Sequence, residues 1–326
     1  MKYIRLGSTD LCVSRIGVGG MSFGAVTPDS PKWTLDREQT KEMIAHAYDL
    51  GVNFIDTANQ YAGGTSEAYI GQALKDLGIP RDKVILASKV YFNEGHLSRE
   101  AILREIDGTL ERLQTDYLDL YQIHRFDYGT PMEETLETLD SLVRSGKVRA
   151  LGASAMYAFQ LHNMMVLCEK NGWTGFSTMQ NHYNLLYRED EREMIPVCRQ
   201  YGISLIPYSP LAGGHLSRRE WDSASVRSRT DAIVKRRYDK SREDDMPVIT
   251  RVAEVADRYG VSMSRVAIAW LLHKGAAAPV TGATKMSHFD DAVQAVDLVL
   301  SREDIEYMEE LYVPHAIKGA LPVPAE

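Results

Sequence analysis

The sequence predicts an α/β protein, a closed (β/α)8 TIM barrel with an N-terminal β-hairpin and a long loop after its seventh strand, in one domain spanning residues 1–326. Three observations lead there. Eight short runs rich in β-branched and aliphatic residues recur along the chain, and nearly every gap between them carries apolar residues at helical spacing. The runs are almost continuously apolar, which suits parallel strands covered on both faces better than the alternating strands of an open antiparallel sheet. With 44 % hydrophobic and 25 % charged residues, the 326-residue chain is ordinary globular material, long enough for one such barrel or for two smaller domains. The two-domain dinucleotide-binding alternative needs a G-x-G-x-x-G turn after a strand. The best match, Gly17-Val18-Gly19-Gly20-Met21-Ser22, has Ser22 in the third glycine's place and precedes any complete strand–helix unit.

Residues 3–14 hold two short apolar stretches around Gly7-Ser8-Thr9-Asp10 and read as a hairpin capping the bottom of the barrel. The first barrel strand is expected at 15–19, with its helix at 38–50 stopped by Gly51. Next come strand 52–56 with helix 66–77, strand 84–89 with helix 98–113, and strand 118–124 with helix 133–145. Strand 148–154 is followed by helix 158–170, strand 178–182 by helix 189–201, and strand 203–209 by helices at 248–259 and 262–273. The last strand is expected at 278–282. Between Pro210 and Pro247 lies a stretch dense in Arg, Asp, Glu and Ser, far longer than the ~2 to 6 residues usual for such a connection. It reads either as a solvated insertion or as a lid. Residues 301–311 form a final helical pattern, and 313–326 a Pro-containing tail that drapes over a face of the barrel.

The formal net charge of −8 argues against a polyanion-binding surface, so no nucleic-acid partner is expected. Arg5 interrupts any apolar signal core, and the longest apolar stretch, 267–280, is broken by His273 and Lys274. The expectation is a soluble, cytoplasmic protein with no membrane partner. Cys12, Cys168 and Cys198 fit neither a disulfide framework nor a zinc pattern and read as buried reduced thiols. No metal is expected either, since the nine histidines include no pair closer than His273 and His288.

Catalytic groups of such barrels project from the carboxyl ends of strands. Asp56 ends the second strand, Lys89 the third and His124 the fourth, and Tyr61 lies in the loop leaving the second. Taken singly, a strand-end aspartate is often a turn residue, and a lone Lys or His is often a surface or hydrogen-bonded core group. Their placement on neighbouring strands ~4.8 Å apart brings them together, where mutual perturbation of their pKa values is expected.

These residues resemble the aldo-keto reductases. Phe54-Ile55-Asp56-Thr57-Ala58 followed by Tyr61, then Ser88-Lys89, then Gln122-Ile123-His124 is similar to that family's Asp, Tyr, Lys and His tetrad in order and context. The likeness continues through Gly152-Ala153-Ser154, Met179-Gln180-Asn181, Pro207-Tyr208-Ser209-Pro210-Leu211 and Gly282-Ala283-Thr284-Lys285. It implies NADPH-dependent reduction of an aldehyde or ketone to an alcohol, with a small-molecule carbonyl substrate. In that reading Tyr61 is the general acid, Asp56 holds Lys89, neutral His124 hydrogen-bonds the substrate oxygen, and the Lys89 ammonium lowers the Tyr61 pKa by up to ~3 units.

The resemblance also implies a cofactor surface. Tyr208 would stack on the nicotinamide ring, Ser154 and Gln180 would bond its carboxamide, and Asp56 lies beside it. Ser209, Pro210, Leu211 and Gly213 match the pyrophosphate stretch, and Gly20 and Met21 lie beside the ribose. Gly282, Thr284, Lys285, His288 and Asp291 would face the adenosine end, with Lys285 and Arg219 as cations for a ribose 2′-phosphate. Ala155, His288 and the pair Asp291-Ala292 depart from the common family pattern, so NAD(H) is a less favoured alternative to NADP(H). Trp33, Tyr91, Phe92, Phe126, Asp127 and Tyr128 are expected to line the substrate pocket, and Arg125 with Asp127 hints at a polar substrate. The competing function is a cofactor-binding regulatory or redox-sensing subunit on the same scaffold.

Overall fold

The computed structural model describes residues 1–27 and 31–324. Strands β1 (Tyr3–Arg5) and β2 (Cys12–Ser14) pair antiparallel, with Tyr3 opposite Ser14. The turn is held by Thr9, whose hydroxyl donates to the Leu6 carbonyl at 2.6 Å and accepts from the Leu11 amide at 3.2 Å. Leu6, Leu11 and Val13 pack with Phe54, Ile85, Leu120, Ala150, Ile206 and Val280, so the hairpin plugs the amino-terminal mouth of the barrel with apolar side chains.

The barrel strands are β3 (Gly17–Gly19), β4 (Phe54–Asp56), β5 (Ile85–Val90), β6 (Leu118–Ile123), β7 (Val148–Ser154), β8 (Phe176–Gln180), β9 (Ser204–Leu205) and β10 (Val280–Thr281). All pair parallel in the order β10-β3-β4-β5-β6-β7-β8-β9. The ring closes through a parallel bridge between Tyr208 and Val280 and two amide bonds, Ala277 to the Leu205 carbonyl at 2.7 Å and Val280 to the Pro207 carbonyl at 2.9 Å. The eight-stranded barrel therefore stands as expected. Most strands differ in extent from the expected runs, β9 and β8 among them. β9 is shorter than 203–209 because Pro207 and Pro210 have no amide proton for the ladder. β8 begins two residues earlier than 178, and past Gln180 its only ladder contact is the isolated bridge from His182 to Tyr208.

Outside the strands run α1 (Arg37–Asp49), α2 (Thr65–Asp76), α3 (Arg99–Leu113), α4 (Met132–Arg144), α5 (Ala158–Asn171) and α6 (Met194–Gln200). After β9 come α7 (Val226–Thr230), α8 (Ala232–Tyr238), α9 (Arg242–Tyr259) and α10 (Met263–His273), and after β10 come α11 (Met286–Gln294) and α12 (Arg302–Glu309). Side-chain caps explain several starts: Asp36 and Gln39 form a reciprocal capping box on α1, and Ser98, Ser262 and Ser301 cap α3, α10 and α12.

The stretch between Pro210 and Pro247 is folded. It contains a 3₁₀ turn at Ala212–Ser217, α7, α8 and the start of α9, which carries Pro247 inside it rather than beginning after it. Trp221 and Tyr238 are buried within this excursion, and Asp231 caps α8 by accepting from the Ile233 and Val234 amides. The tail lies against the same end: the Lys318 amide donates to the Tyr187 hydroxyl at 2.8 Å, and the Tyr128 hydroxyl to the Leu321 carbonyl at 3.2 Å. His315 Nε2 meets Asp245 Oδ1 at 2.9 Å, tying the tail to α9.

One expectation about the cysteines fails. Cys168 and Cys198 are buried, and burial pushes both thiols up to about 12, but Cys12 is exposed. It begins β2, where side chains alternate between faces, and Val13 takes the inward position. No helix among the described residues is long and apolar enough to cross a membrane.

Asp119, on β6 and wholly buried, accepts from Arg81 at 2.6 Å, from Arg149 at 2.7 Å and from the Leu86 amide at 2.9 Å. It thereby clamps β5, β6 and β7 at the bottom of the barrel. Asp119→Ala should destabilise the fold by about 1.5–3 kcal/mol, the worth of a charged hydrogen bond left unmade. Urea denaturation monitored by circular dichroism measures it; an unchanged midpoint would show that the clamp is redundant.

Candidate active site

At the carboxyl end of the barrel the register sets Gly19 beside Asp56, Asp56 beside Ala87, and Lys89 beside Gln122, which is in turn beside Gly152. The long Lys89 side chain therefore starts one pleat above Asp56 on the neighbouring strand and reaches its carboxylate. Lys89 Nζ lies 2.6 Å from Asp56 Oδ2 and 2.7 Å from the Thr57 carbonyl, and it donates a longer bond of 3.5 Å to the Tyr61 hydroxyl. The other carboxylate oxygen, Oδ1, accepts from Gln122 at 2.8 Å and from Gln180 at 2.9 Å. Lys89 is 0 % exposed and Asp56 2 %, so each needs the other's charge.

Space for this arrangement comes from Gly152. A Cβ there would stand 2.4 Å from Thr178 Oγ1 and 2.8 Å from Gln122 Cγ. Any side chain would push Gln122 off Asp56.

Tyr61 opens a 3₁₀ turn (Tyr61–Gly64) in which Ala62, Gly63 and Gly64 all adopt positive φ, at 48°, 63° and 86°. This tight left-handed turn brings the chain from β4 into α2 within a few residues and leaves the phenol at the mouth. His124 follows β6, with its ring edge-on to Tyr61 at 5.8 Å between centroids and edge-on to Phe92 at 5.1 Å. The four expected side chains are thus brought together.

Their electrostatics follow from burial. Burial acts to lower the Lys89 pKa, but Asp56 and then Tyr61 outweigh it and leave the ammonium above its ordinary value. Burial, then the charges of Lys89 and Arg125, holds the His124 pKa well below the usual imidazole range, so the ring is neutral at pH 7. For Tyr61 the expected lowering fails: burial raises its pKa, and Lys89 only partly offsets that, with Asp56 opposing it. The ammonium sits closer to the carboxylate than to the phenol, so its field at the phenol is largely cancelled. Tyr61 accordingly keeps its proton at neutral pH and can only donate it.

The aromatic residues expected to line a pocket form separate contacts. Tyr91 meets Phe92 edge-on at 5.1 Å, Phe126 meets Tyr128 at 4.9 Å, and Trp33 is buried beneath the Arg227 guanidinium at 4.2 Å. Asp127 is different: it is buried and accepts from the Leu97 and Gly129 amides and the Thr130 hydroxyl, which makes it a loop anchor.

The residues read as a cofactor surface fall along the same face. Gly20 and Met21 lie in the 3₁₀ turn (Gly20–Ser22) after β3, Ser154 ends β7, and Gln180 ends β8 with its amide turned to Asp56. Tyr208 is flanked by His182, stacked at 5.2 Å, and by the Arg237 guanidinium at 5.1 Å on α8. Ser209, Pro210 and Leu211 lead into Ala212, Gly213 and Gly214, with positive φ at Ser209, Ala212, Gly213 and Gly214. Gly282, Thr284 and the exposed Lys285 follow β10, and Lys285 has no ion pair among the described residues. Three others are already engaged: Arg219 pairs with Asp257 at 2.6 Å, Asp291 with Arg265 at 2.8 Å, and His288 Nδ1 accepts from the Thr284 amide at 3.4 Å.

A polar ligand fits this face, because the buried Tyr208 hydroxyl, Thr281 Oγ1 and His124 Nδ1 have no hydrogen-bond partner among the described residues. No group of three or more His, Cys, Asp or Glu among the described residues is placed to hold a metal ion.

Sequence reasoning gave Gln122 no role and missed Arg237, whereas the tail does drape over this face as expected. The role of Gln122 was legible, since two residues before His124 it shares the same strand face. Arg237 was not, because nothing local ties it to the site. Gly319, with φ 101°, lets the tail pass the Tyr208 hydroxyl, which a Cβ there would approach to 2.7 Å.

Three fungal proteins illustrate the chain's relatives. A versiconal hemiacetal acetate reductase of Aspergillus parasiticus is 41 % identical, over 97 % of this chain and 98 % of that protein. The aldo-keto reductase dtxS3 of Metarhizium robertsii is 40 % identical over 97 % and 92 %, and the aldo-keto reductase AFTS1 of Alternaria alternata 39 % over 97 % and 93 %. The model of the aldo/keto reductase family matches residues 15–313, and with the tetrad assembled on that barrel the chain belongs to this family.

Proposed function

We propose that this protein reduces an aldehyde or ketone to an alcohol with NADPH, Tyr61 acting as the general acid. The observation that carries this reading is the Lys89 ammonium held between Asp56 and Tyr61, beside a neutral His124. Bound NADPH would supply the hydride. Ser154, Tyr208, the 209–213 stretch, Gly282, Thr284 and Lys285 would hold it, with Gly20 and Met21 beside its ribose; a ring stacked on Tyr208 takes the face on which Arg237 now rests.

The protein's part is to meet the charge that grows on the carbonyl oxygen. Neutral His124 donates a hydrogen bond to that oxygen and orients it towards Tyr61. As negative charge develops there, the Tyr61 proton moves to it. Lys89, fixed by Asp56, steadies the phenolate left behind, and Gln122 and Gln180 keep Asp56 in place. The aromatic side chains of Tyr91, Phe92, Phe126 and Tyr128 support an aryl or other apolar carbonyl compound as substrate, and the reductase names among the relatives agree with that chemistry.

Tyr61→Phe should lower turnover of an aromatic aldehyde by ~10² to 10⁴ while NADPH affinity changes little. Loss of nicotinamide absorbance with 4-nitrobenzaldehyde gives the rate, and fluorescence quenching the affinity; a variant as fast as the parent would remove Tyr61 from its role. Lys89→Met should cut turnover as well and, by leaving the Asp56 carboxylate buried without its cation, cost about 3–5 kcal/mol of stability.

Lys285→Ala tests the cofactor preference. A charge-assisted bond to the 2′-phosphate contributes about 1.5–3 kcal/mol, or ~10- to 150-fold in affinity. NADPH binding should weaken by that factor and NADH binding stay nearly constant. An equal loss for both cofactors, or none for either, would show that Lys285 does not read the phosphate.

A further inference from the structure

The residue after His124 has no role in proton transfer, yet it stands inside the site. Arg125 is half-buried, with its guanidinium 5.4 Å from the centre of the Phe92 ring, which packs against His124. Through Phe92 it adjoins His124, whose own ring packs against Tyr61. Its one hydrogen bond goes to its own neighbour, the His124 carbonyl, at 2.5 Å. No carboxylate pairs with it among the described residues. Asp127, two residues on, is turned away into the Leu97, Gly129 and Thr130 bonds.

A second guanidinium, Arg237 on α8, lies over the Tyr208 ring. It too has no acidic partner among the described residues. Lys318 Nζ donates to the Arg237 carbonyl, which fastens the segment carrying it to the tail. Other half-buried arginines have partners away from their own neighbours: Arg81 pairs with Asp119, Arg188 with Glu191 and Glu309, and Arg265 with Asp291, while Arg15 and Arg218 each donate to two backbone carbonyls. A guanidinium partly withdrawn from water, with no carboxylate beside it among the described residues, is a costly arrangement that a bound anion relieves.

We infer that the substrate pocket is built for a carbonyl compound that also carries a carboxylate, with Arg125 as the residue that grips it and Arg237 as a second cation across the mouth. The planar guanidinium offers two parallel N–H donors that match a carboxylate, and the Phe92 ring beneath it holds the fork in one orientation. His124 and Tyr61 take the carbonyl oxygen, and Arg125, one residue along from His124, takes the acid group of the same molecule. This assignment rests on the carbonyl-reducing function proposed above and narrows its substrate class.

The test compares 3- and 4-carboxybenzaldehyde with their methyl esters, which share the ring and aldehyde but lack the charge, at neutral pH with NADPH. In the wild-type protein kcat/KM for at least one acid should exceed that for its ester by 10-fold or more. Arg125→Gln should lower that acid-to-ester ratio by ~10- to 150-fold, the range for a charged hydrogen bond. Should that variant fail to fold, Arg125→Lys, which keeps the charge but not the fork, should lower the ratio by a smaller factor. Reduction of the esters with no preference for either acid, or a ratio that an Arg125 variant leaves unchanged, overturns the anion site while leaving carbonyl reduction intact. Failure to reduce any of the four compounds, or 4-nitrobenzaldehyde, overturns both readings.

Discussion

Burying the Lys89 ammonium is the requirement around which the top of the barrel is organised. An ion moved out of water into a protein interior loses several kcal/mol even after relaxation, and only close, well-directed partners recover it. Here the partners come from different strands: Asp56 from β4 supplies the opposite charge, while Gln122 near the end of β6 and Gln180 at the end of β8 saturate the carboxylate. The backbone carbonyl of Thr57 takes a further ammonium proton. Four strands are therefore locked in register at one point, and β7 takes part by having only a hydrogen at Gly152. A rigid polar knot of this kind is what a proton-transfer site needs, because a phenol and an imidazole held against it have little freedom to drift.

The same knot explains why the phenol keeps its proton. An isolated ammonium near Tyr61 would pull its pKa down, but this ammonium belongs chiefly to Asp56, and burial dominates what remains. In the proposed reaction the site is thus poised as an acid beside a neutral imidazole, and it would meet negative charge on a substrate oxygen only when that charge appears. Electrostatic help delivered at that moment lowers the barrier without tightening the ground state.

Around this rigid centre the mouth is made from segments distant in sequence. The excursion after β9 is anchored by Tyr238, whose hydroxyl meets His182 at 2.7 Å and Asn184 at 3.1 Å, and it brings Arg237 over Tyr208. The tail is pinned to it by His315 on Asp245 and by Lys318 on the Arg237 carbonyl. Centre and rim differ in origin: strand ends hold the proposed reacting groups, and the excursion and tail form the surface around them.

The alternation of apolar strands and amphipathic helices determined the barrel, because each unit has one face that only a neighbouring unit can cover. The tetrad was legible for a related reason: Asp56, Lys89 and His124 each end an apolar run, and parallel strands in sequence order are neighbours in space. Within a strand, period-two alternation also contained Gln122. Three things were decided by tertiary structure alone. The Tyr61 pKa depends on which of two partners Lys89 approaches more closely, a difference of under an ångström set by packing. The charged stretch after β9 reads as solvated from its composition, yet it folds because Trp221 and Tyr238 find a surface to bury against, which no local pattern encodes. Asp127 and Arg125 read together in sequence as a hint of a polar substrate, but the loop amides of Leu97 and Gly129 claim the Asp127 carboxylate, and Arg125 is left without it. Local order follows from the periodicity of the chain; which charge meets which depends on contacts between residues far apart along it.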